Sequence, residues 1–249
     1  MKLRLMICTA AASTVLFAAE DAISAATYAV MNVTNAYTDT VIAVPWVGLD
    51  GSAITISNLV NTTTVAAGDK LYMYGSDGKW YAYTKNAAGN LEGDATISSE
   101  GVTITDAAQQ TIERGKGLIL QRANAGGNVL LCGRVDANTV STTIAGAVTV
   151  EGETVKGKTL FANPTASSVD INTKFTSATN GDTITIPLNN GGSDTYTFNG
   201  TEWGKMTVTE QTLPNGRKRK TNAWSKCGSI PAGTGAWYEA TGVGYTVTW

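Results

Sequence analysis

The sequence predicts an all-β fold, built as two tandem homologous β-sandwich or partly closed β-barrel domains after a cleaved signal peptide. Three observations lead to this prediction. Short alternating runs rich in Val, Ile, Thr and Tyr are broken by Gly, Asn and Asp, a pattern typical of half-buried strands and turns. No segment after residue 26 has the apolar period of a convincing amphipathic helix. The same motifs recur in the same order about 118 residues apart.

The composition narrows the class of function. The chain has 249 residues, of which 43% are apolar and only 15% are charged, so it can bury a core beneath a neutral polar surface. The net charge of -2 offers no general attraction to nucleic acid, and we expect no nucleic-acid partner. The chain contains no histidine, which removes the commonest general base and the usual zinc ligand. We therefore expect no metal site and no cofactor.

The N-terminal segment, residues 1–26, has the pattern of a secretory signal peptide. Lys2 and Arg4 precede an apolar stretch from Leu5 to Ala19, which is too short for a permanent membrane span. Cleavage after Ala26 fits the preference for small residues best, and cleavage after Ala25 or Ala19 is the alternative. A retained amphipathic or membrane helix is the rival interpretation. The signal peptide predicts a secreted protein or one at the extracellular cell surface, with the periplasm as the other destination.

The repeated motifs predict two domains, residues 27–142 and 143–249, joined by a short segment from Ser141 to Ala145. The matched pairs are Ala29-Val30 with Ala147-Val148, 40–45 with 159–164, Gly68-Asp69 with Gly181-Asp182, Tyr72, Tyr74 and Trp80 with Tyr196, Phe198 and Trp203, and Val129 with Val247. A repeat of this length exceeds a solenoid turn or a propeller blade, so each copy should have its own core. A single interlocked barrel built from both copies is the alternative.

Two Gly-x-Gly turns complete the match, one in Arg114-Gly115-Lys116-Gly117 and one in 231–238, Pro-Ala-Gly-Thr-Gly-Ala-Trp-Tyr. A dinucleotide-binding loop needs a third glycine and a following helix, whereas strand-like residues follow here. We expect each turn to direct the next residues back into its own sheet, with Trp237 and Tyr238 in the core of the second domain. The motif at 231–238 resembles the turn that ends the units of uncharacterised secreted bacterial tandem-repeat β-proteins, and that resemblance implies export and a surface role. The first copy departs from it at Arg114 and Leu118.

An aromatic hairpin is the candidate ligand site of the first domain. Alternation predicts that Tyr72, Tyr74, Tyr81 and Tyr83 share one face of this hairpin, and Trp46 could extend the same surface. An exposed row of rings could stack on sugars or contact another protein. Alternatively, the rings pair across the strands and only stabilise the sheet.

Two further features concern partners and the redox state. The basic run Arg217, Lys218, Arg219 and Lys220 either forms a solvated loop or contacts an acidic glycan, a lipopolysaccharide phosphate or the carboxylates of another subunit. Cys132 and Cys227 remain after the leader is removed, and a disulfide between them is the expected pairing in an oxidising compartment. Free thiols or an intermolecular bridge are the alternatives.

These observations favour a non-enzymatic structural or interaction protein of the cell surface that self-assembles through edge strands. Its expected partners are other copies of itself or surface components. The alternative is a carbohydrate-binding protein that uses the aromatic hairpin to bind a glycan. No residue pattern marks a catalytic site, and a hydrolase would have to use a pair of carboxylates.

Overall fold

A computed structural model describes residues 13–15, 28–34, 39–44, 46–48, 51–55, 66–74, 80–88, 91–95, 111–124, 128–136, 138–165, 167–188, 192–226 and 228–249. The described chain is mostly antiparallel β-strand with almost no helix, which confirms the all-β class. Within the described residues none of the sheets closes on itself. Of the predicted signal peptide, the structure describes only Ser13–Val15, which pair with Tyr28–Val30.

The strands of the first half of the chain are β1 (Ser13–Val15), β2 (Tyr28–Thr34), β3 (Asp39–Ala43), β4 (Trp46–Val47), β5 (Lys70–Tyr74), β6 (Trp80–Lys85), β7 (Leu91–Ala95), β8 (Gly117–Gln121) and β9 (Asn128–Val135). Those of the second half are β10 (Ser141–Ile144), β11 (Val148–Val150), β12 (Glu153–Val155), β13 (Gly157–Ala162), β14 (Val169–Asp170), β15 (Thr183–Pro187), β16 (Ser193–Phe198), β17 (Trp203–Thr212), β18 (Lys218–Lys226), β19 (Ser229–Ile230), β20 (Gly235–Ala240) and β21 (Tyr245–Thr248).

Two large antiparallel sheets organise these strands. The first sheet has the order β3-β8-β5-β6-β7, and the second sheet has the order β13-β20-β15-β16-β17-β18. Smaller sheets have the orders β1-β2-β9-β4, β10-β21, β11-β12 and β14-β19. The first five strands of the second sheet follow the same neighbour order as the five strands of the first sheet when each is taken in chain order.

Among the described residues a short helix, α1 (Ile171–Lys174), interrupts the strands. The Asp170 side chain accepts a hydrogen bond from the backbone N–H of Thr173 and so caps its first turn. Ile171 and Phe175 beside it are fully buried. The helix therefore covers one end of the core that lies against the second sheet.

Each large sheet carries its own buried side chains. Those of the first half are Ile42, Ala43, Val44, Ile54, Leu71, Ala82, Tyr83, Ile112, Leu118 and Leu120. The second half has a more aromatic core of Ile144, Phe161, Ile171, Phe175, Ile184, Ile186, Tyr196, Trp203, Ile230, Ala236, Tyr238, Ala240 and Val247. The prediction that Tyr238 belongs to the core is confirmed.

A buried aspartate stands before the third strand of each sheet order and makes matching contacts. Asp69 accepts hydrogen bonds from the backbone N–H groups of Ala66 and Ala123. Asp182 accepts the equivalent bonds from Thr179 and Thr241. Each carboxylate thus ties the turn before its strand to the end of the neighbouring strand, so both are structural groups within the fold.

The two Gly-x-Gly turns join the large sheets to each other. The backbone N–H of Ala43 in β3 donates to the carbonyl of Gly233, and the N–H of Ala162 in β13 donates to the carbonyl of Gly115. Isolated bridges pair Ile42 with Thr234 and Lys116 with Phe161. The residues after each turn enter their own sheet as β8 and β20, as predicted, but each turn also bonds a strand of the other half, which the sequence did not predict.

Glycines at the start of β8 and β20 permit this close approach. A Cβ on Gly117 would lie 2.7 Å from Leu160 Cγ and 2.7 Å from the carbonyl oxygen of Phe161. A Cβ on Gly235 would overlap Val41 Cγ1 and lie 3.0 Å from the carbonyl oxygen of Ile42. Real Cβ atoms do not approach other atoms so closely, so only glycine allows the two sheets to meet here.

The predicted match between aromatic residues is out of register. Strands β5 and β6 are the third and fourth strands of the first sheet, whereas Asn199-Gly200 joins β16 to β17, the fourth and fifth strands of the second. The strand pairing places Tyr196 opposite Ile184, as Tyr83 is placed opposite Leu71. The two hairpins that the aromatic residues match thus occupy different places in the strand orders of their sheets.

The segment predicted as a join is itself a structural element. Ser141–Ile144 form β10, which pairs with β21 at the C-terminus, and Ile144 is fully buried in the core of the second half. Two hairpins extend away from that core: β11-β12, and the distal part of β17-β18. Their side chains are almost all exposed.

Candidate functional site

A cavity of about 470 Å³ lies beside the first Gly-x-Gly turn. It is lined by Tyr74, Glu113, Arg114, Lys116, Gly117, Ser141, Thr142, Thr143, Ala145, Lys158, Thr159 and Leu160. These residues come from the first sheet, from the turn at 113–117, from β10 and from β13. The volume is within the range of small-molecule sites in proteins.

Arg114 holds the turn that forms one wall of the cavity. Its Nη1 donates to Asp136 Oδ2 at 2.6 Å, and its Nη2 donates to the carbonyls of Asp136 and Pro164. The backbone N–H of Asn138 and the charge of Arg114 hold the pKa of Asp136 below its usual value. Arg114 therefore fixes the backbone of the turn, and one of its contacts reaches the second half of the chain.

The other charged groups at the cavity are more exposed. Lys116 Nζ lies 3.0 Å from Glu113 Oε2, and Lys158 Nζ lies 3.0 Å from Glu239 Oε1. Together with the pair of Arg114 and Asp136, each cation at the cavity walls is thus paired with a carboxylate.

Hydroxyl groups form the opposite wall, along β10. Thr142 is buried, donates to the carbonyl of Gly115 and accepts a hydrogen bond from the indole N–H of Trp249. Ser141 and Thr143 lie on either side of it. The wall thus presents short hydroxyl side chains that are suited to a hydroxylated ligand.

Aromatic rings meet at the side of the cavity where Tyr74 lies. The ring centroid of Tyr74 is 5.2 Å from that of Trp80, and Trp80 is 6.0 Å from Trp237 in β20. Tyr74 is 41% exposed. Trp237, which was predicted to lie in the core, is only partly buried and contacts the first sheet.

The predicted four-tyrosine face does not exist. In the observed register Tyr72 lies opposite Ala82 and Tyr74 opposite Trp80, whereas Tyr81 and Tyr83 lie opposite Met73 and Leu71 on the other face. The prediction is wrong because the strand pairing is offset by one residue from the assumed one, which moves one tyrosine pair to the opposite face.

The individual tyrosines have different environments. Tyr83 is 2% exposed, and its burial raises the pKa of its phenol to about 12. Tyr72 is partly buried and donates a hydrogen bond to Gln121 Oε1. Of the four, Tyr74 alone lines the cavity. A stacking surface on this hairpin would therefore consist of Tyr74 and Trp80.

Three predicted residues lie partly or wholly outside the described part of the chain. Trp46 is in β4, opposite Val135, and its side chain is not among those described. Cys132 is in β9, opposite Val30, and Cys227 lies outside the described residues. The disulfide between Cys132 and Cys227 stays a prediction.

The basic run lies at the far end of the β17-β18 hairpin. Leu213–Arg217 form its turn, and Lys218 and Lys220 in β18 pair with Glu210 in β17. Arg217 and Arg219 make no ion pair within the described chain. The tip of the hairpin is therefore a cationic surface.

The described residues contain no group of three or more metal-ligating side chains within reach of one ion. They also contain no helix with the length and apolarity needed to cross a membrane. Comparisons with protein families, with curated proteins and with solved structures found no match to this chain.

The sequence contains no local signal for the cavity. Its walls come from segments near residues 74, 113–117, 141–145 and 158–160, and no motif links them. The one available clue was the difference between the two Gly-x-Gly turns, since Arg114 and Lys116 stand where the second turn has Ala232 and Thr234.

Proposed function

We propose that this protein is an exported, non-enzymatic interaction protein of the cell surface that associates with copies of itself. The observation that carries the proposal is the hairpin of β17 and β18, which we call the arm (residues 203–226). Its strands pair over nine residues each, yet nearly all of their side chains are exposed. Both faces of such an exposed hairpin are therefore accessible to a partner.

The arm exposes apolar side chains that a partner would cover. Met206 and Val208 are 56% and 58% exposed, and they share a face with Trp224. A two-stranded ribbon without a core is only marginally stable in water. Covering these side chains would stabilise the arm by about 25 cal/mol for each Å² of apolar surface that is buried.

Simple edge-to-edge pairing of two arms is disfavoured. β18 is the edge strand of the second sheet, and it carries Lys218, Arg219, Lys220 and Lys226. Lysines on an edge strand oppose pairing between identical edges, because they bring like charges together. The partner surface for the arm should therefore be neutral or acidic.

The tandem duplication is a further part of the proposal. It is supported by the shared strand order of the two large sheets, by the equivalent hydrogen bonds of Asp69 and Asp182, and by the reciprocal bonds of Gly115 and Gly233. In this interpretation the molecule is an internal pseudo-dimer. The arm and the β11-β12 hairpin belong to the second copy. They add exposed surface beyond the strand order that the two large sheets share.

Self-association is tested by sedimentation velocity over a range of protein concentrations. The wild-type protein is expected to associate, and the pair Met206→Thr and Val208→Thr is expected to weaken association by about tenfold, equivalent to about 1.4 kcal/mol. Val243→Thr is the matched control, because Val243 is 85% exposed but lies outside the arm. A wild-type protein that stays monomeric at every concentration would contradict the proposal.

A second candidate function is binding of an acidic saccharide in the cavity. It is favoured by the ammonium groups of Lys116 and Lys158, by the hydroxyl groups of β10 and by the aromatic ring of Tyr74 at one side. Sugar rings stack on aromatic faces, while lysines and hydroxyl groups bind the carboxylate and the ring hydroxyls.

Calorimetric titration with glucuronate and with glucose tests this second function. Glucuronate is expected to bind more tightly than glucose, and Lys158→Ala is expected to weaken glucuronate binding by about tenfold, within the range for a hydrogen bond to a charged group. Lys220→Ala on the arm is the control, with no expected effect. Equal binding of the two sugars, or no binding of glucuronate, would exclude this function.

A further inference from the structure

A second exposed hairpin complements the arm. We call β11 and β12 with their turn the valine ribbon (residues 148–155). All six strand residues are exposed, including Val148 at 57%, Val150 at 53% and Val155 at 50%. Glu151 and Gly152 form the tight turn with positive φ angles of 52° and 86°, so the ribbon is a defined hairpin and not an irregular loop.

The register of the valine ribbon places its apolar groups on one face. Val148 lies opposite Val155, and Val150 lies opposite Glu153, so these four side chains point the same way. Thr149 and Thr154 form the other face. One face is thus apolar with an acidic end, and the opposite face is neutral and polar.

The arm has the same division with the opposite charge. Met206 lies opposite Trp224 and Val208 opposite Asn222, which gives one apolar face. Lys218, Lys220 and Lys226 are on this same face; Lys218 and Lys220 share the carboxylate of Glu210, and Lys226 pairs with Glu202. Thr207, Thr209 and Thr221 are on the other face.

The charges decide which surfaces can meet. Glu151 and Glu153 make no ion pair within the described chain, so their charge is available to a partner. Two arms would oppose lysines to lysines, and two valine ribbons would oppose glutamates to glutamates. The valine ribbon on the arm is the combination that buries apolar surface on both sides and also pairs opposite charges.

We infer that the valine ribbon of one copy docks on the apolar face of the arm of a second copy. The occupant of each surface is therefore this same chain, and the contact is heterologous because it joins two different patches. Such contacts close into a dimer when they are reciprocal and otherwise continue as a chain of copies. This inference rests on the self-association proposed above and assigns its surfaces.

Charge exchange between the two surfaces tests the inference. The ribbon variant carries Glu151→Lys and Glu153→Lys. The arm variant carries Lys218→Glu, Lys220→Glu and Glu210→Gln, the last to avoid crowding carboxylates within the arm. Each variant alone is expected to associate at least about tenfold more weakly than wild type in sedimentation velocity at low salt, because like charges then face each other.

An equimolar mixture of the two variants is expected to regain association, since each reversed surface then meets a complementary one. Loss of folding in either variant would not produce this rescue. The controls place charges on the opposite faces, as Thr149→Lys with Thr154→Lys on the ribbon and Thr207→Glu with Thr221→Glu on the arm, and both should associate like wild type.

The outcomes separate the two proposals. If wild type associates but neither charge variant weakens association, or if the mixture stays monomeric, the docking of ribbon on arm is wrong while self-association stands. If wild type stays monomeric at all concentrations, the proposed function fails and this inference fails with it.

Discussion

Replacing Gly235 with valine is expected to destabilise the whole protein by about 3 kcal/mol, at the upper end for overpacking of a rigid site. The added Cβ alone would overlap Val41 Cγ1 and press on the carbonyl of Ile42, both in the first half of the chain. Gly117→Val is expected to have a similar effect through Leu160 and the carbonyl of Phe161. Chemical denaturation followed by tryptophan fluorescence measures both changes.

A matched control and a compensating change make the Gly235 prediction specific. Gly228→Ala is the control, since its nearest contact would be the Tyr196 hydroxyl at an ordinary 3.8 Å, and its effect should stay within about 0.5 kcal/mol. Val41→Ala should offset part of the cost of Gly235→Ala by removing the clashing methyl group. Additive effects of these two changes would show that the side chain of Val41 does not contact position 235.

Replacing Asp182 with alanine is expected to reduce the free energy of unfolding by about 3 kcal/mol or more, because several buried hydrogen-bond donors lose their acceptor. This carboxylate is 1% exposed and accepts four hydrogen bonds, from the N–H and hydroxyl of Thr241, the N–H of Thr179 and the phenol of Tyr238. Its removal leaves these donors buried without an acceptor, at about 1 to 3 kcal/mol for each one that water does not reach.

Asp194→Ala is the control for this prediction. Asp194 also makes an ion pair, with Lys205 at 2.6 Å, but both side chains are about one third exposed. Solvent screening limits such a pair to about 0 to 1 kcal/mol. Thermal unfolding monitored by circular dichroism compares the two variants, and equal midpoints for Asp182→Ala and Asp194→Ala would contradict the structural role of Asp182.

The Asp182 network also explains the environment of Tyr238. Burial, followed by the hydrogen bonds to Asp182 and Tyr245, raises the pKa of the Tyr238 phenol far above its ordinary value. The matched carboxylate of Asp69 is paired instead with Arg122, whose Nε lies 2.8 Å away. The two halves thus share the aspartate and its backbone contacts, while the side-chain partner differs.

The strands could be predicted from the sequence because their signal is local. Alternation of apolar and polar residues selects extended structure wherever one face of a strand is buried, and β5, β8 and β20 were anticipated on that basis. The Gly-Asp and Gly-x-Gly motifs were also visible, since positive φ angles at Gly68, Gly115, Gly181 and Gly233 require a residue without a Cβ.

The candidate surfaces could be predicted only in part. The basic run at Arg217–Lys220 was visible as charge, but its place on an arm with an apolar face was not, because Met206 and Val208 look like core residues in the sequence. The cavity was not predicted at all, since its walls come from segments that are distant in the chain.

By itself, the sequence determined that the chain is all-β, and its motifs indicated where the turns and matched strands lie. Those properties depend on single residues and their near neighbours. The tertiary structure alone decided which face each tyrosine occupies, because that depends on a strand register that shifts by whole residues. It also decided that the Gly-x-Gly turns bond opposite halves, because close packing between two sheets depends on pairs of residues, such as Val41 and Gly235, that no local pattern connects.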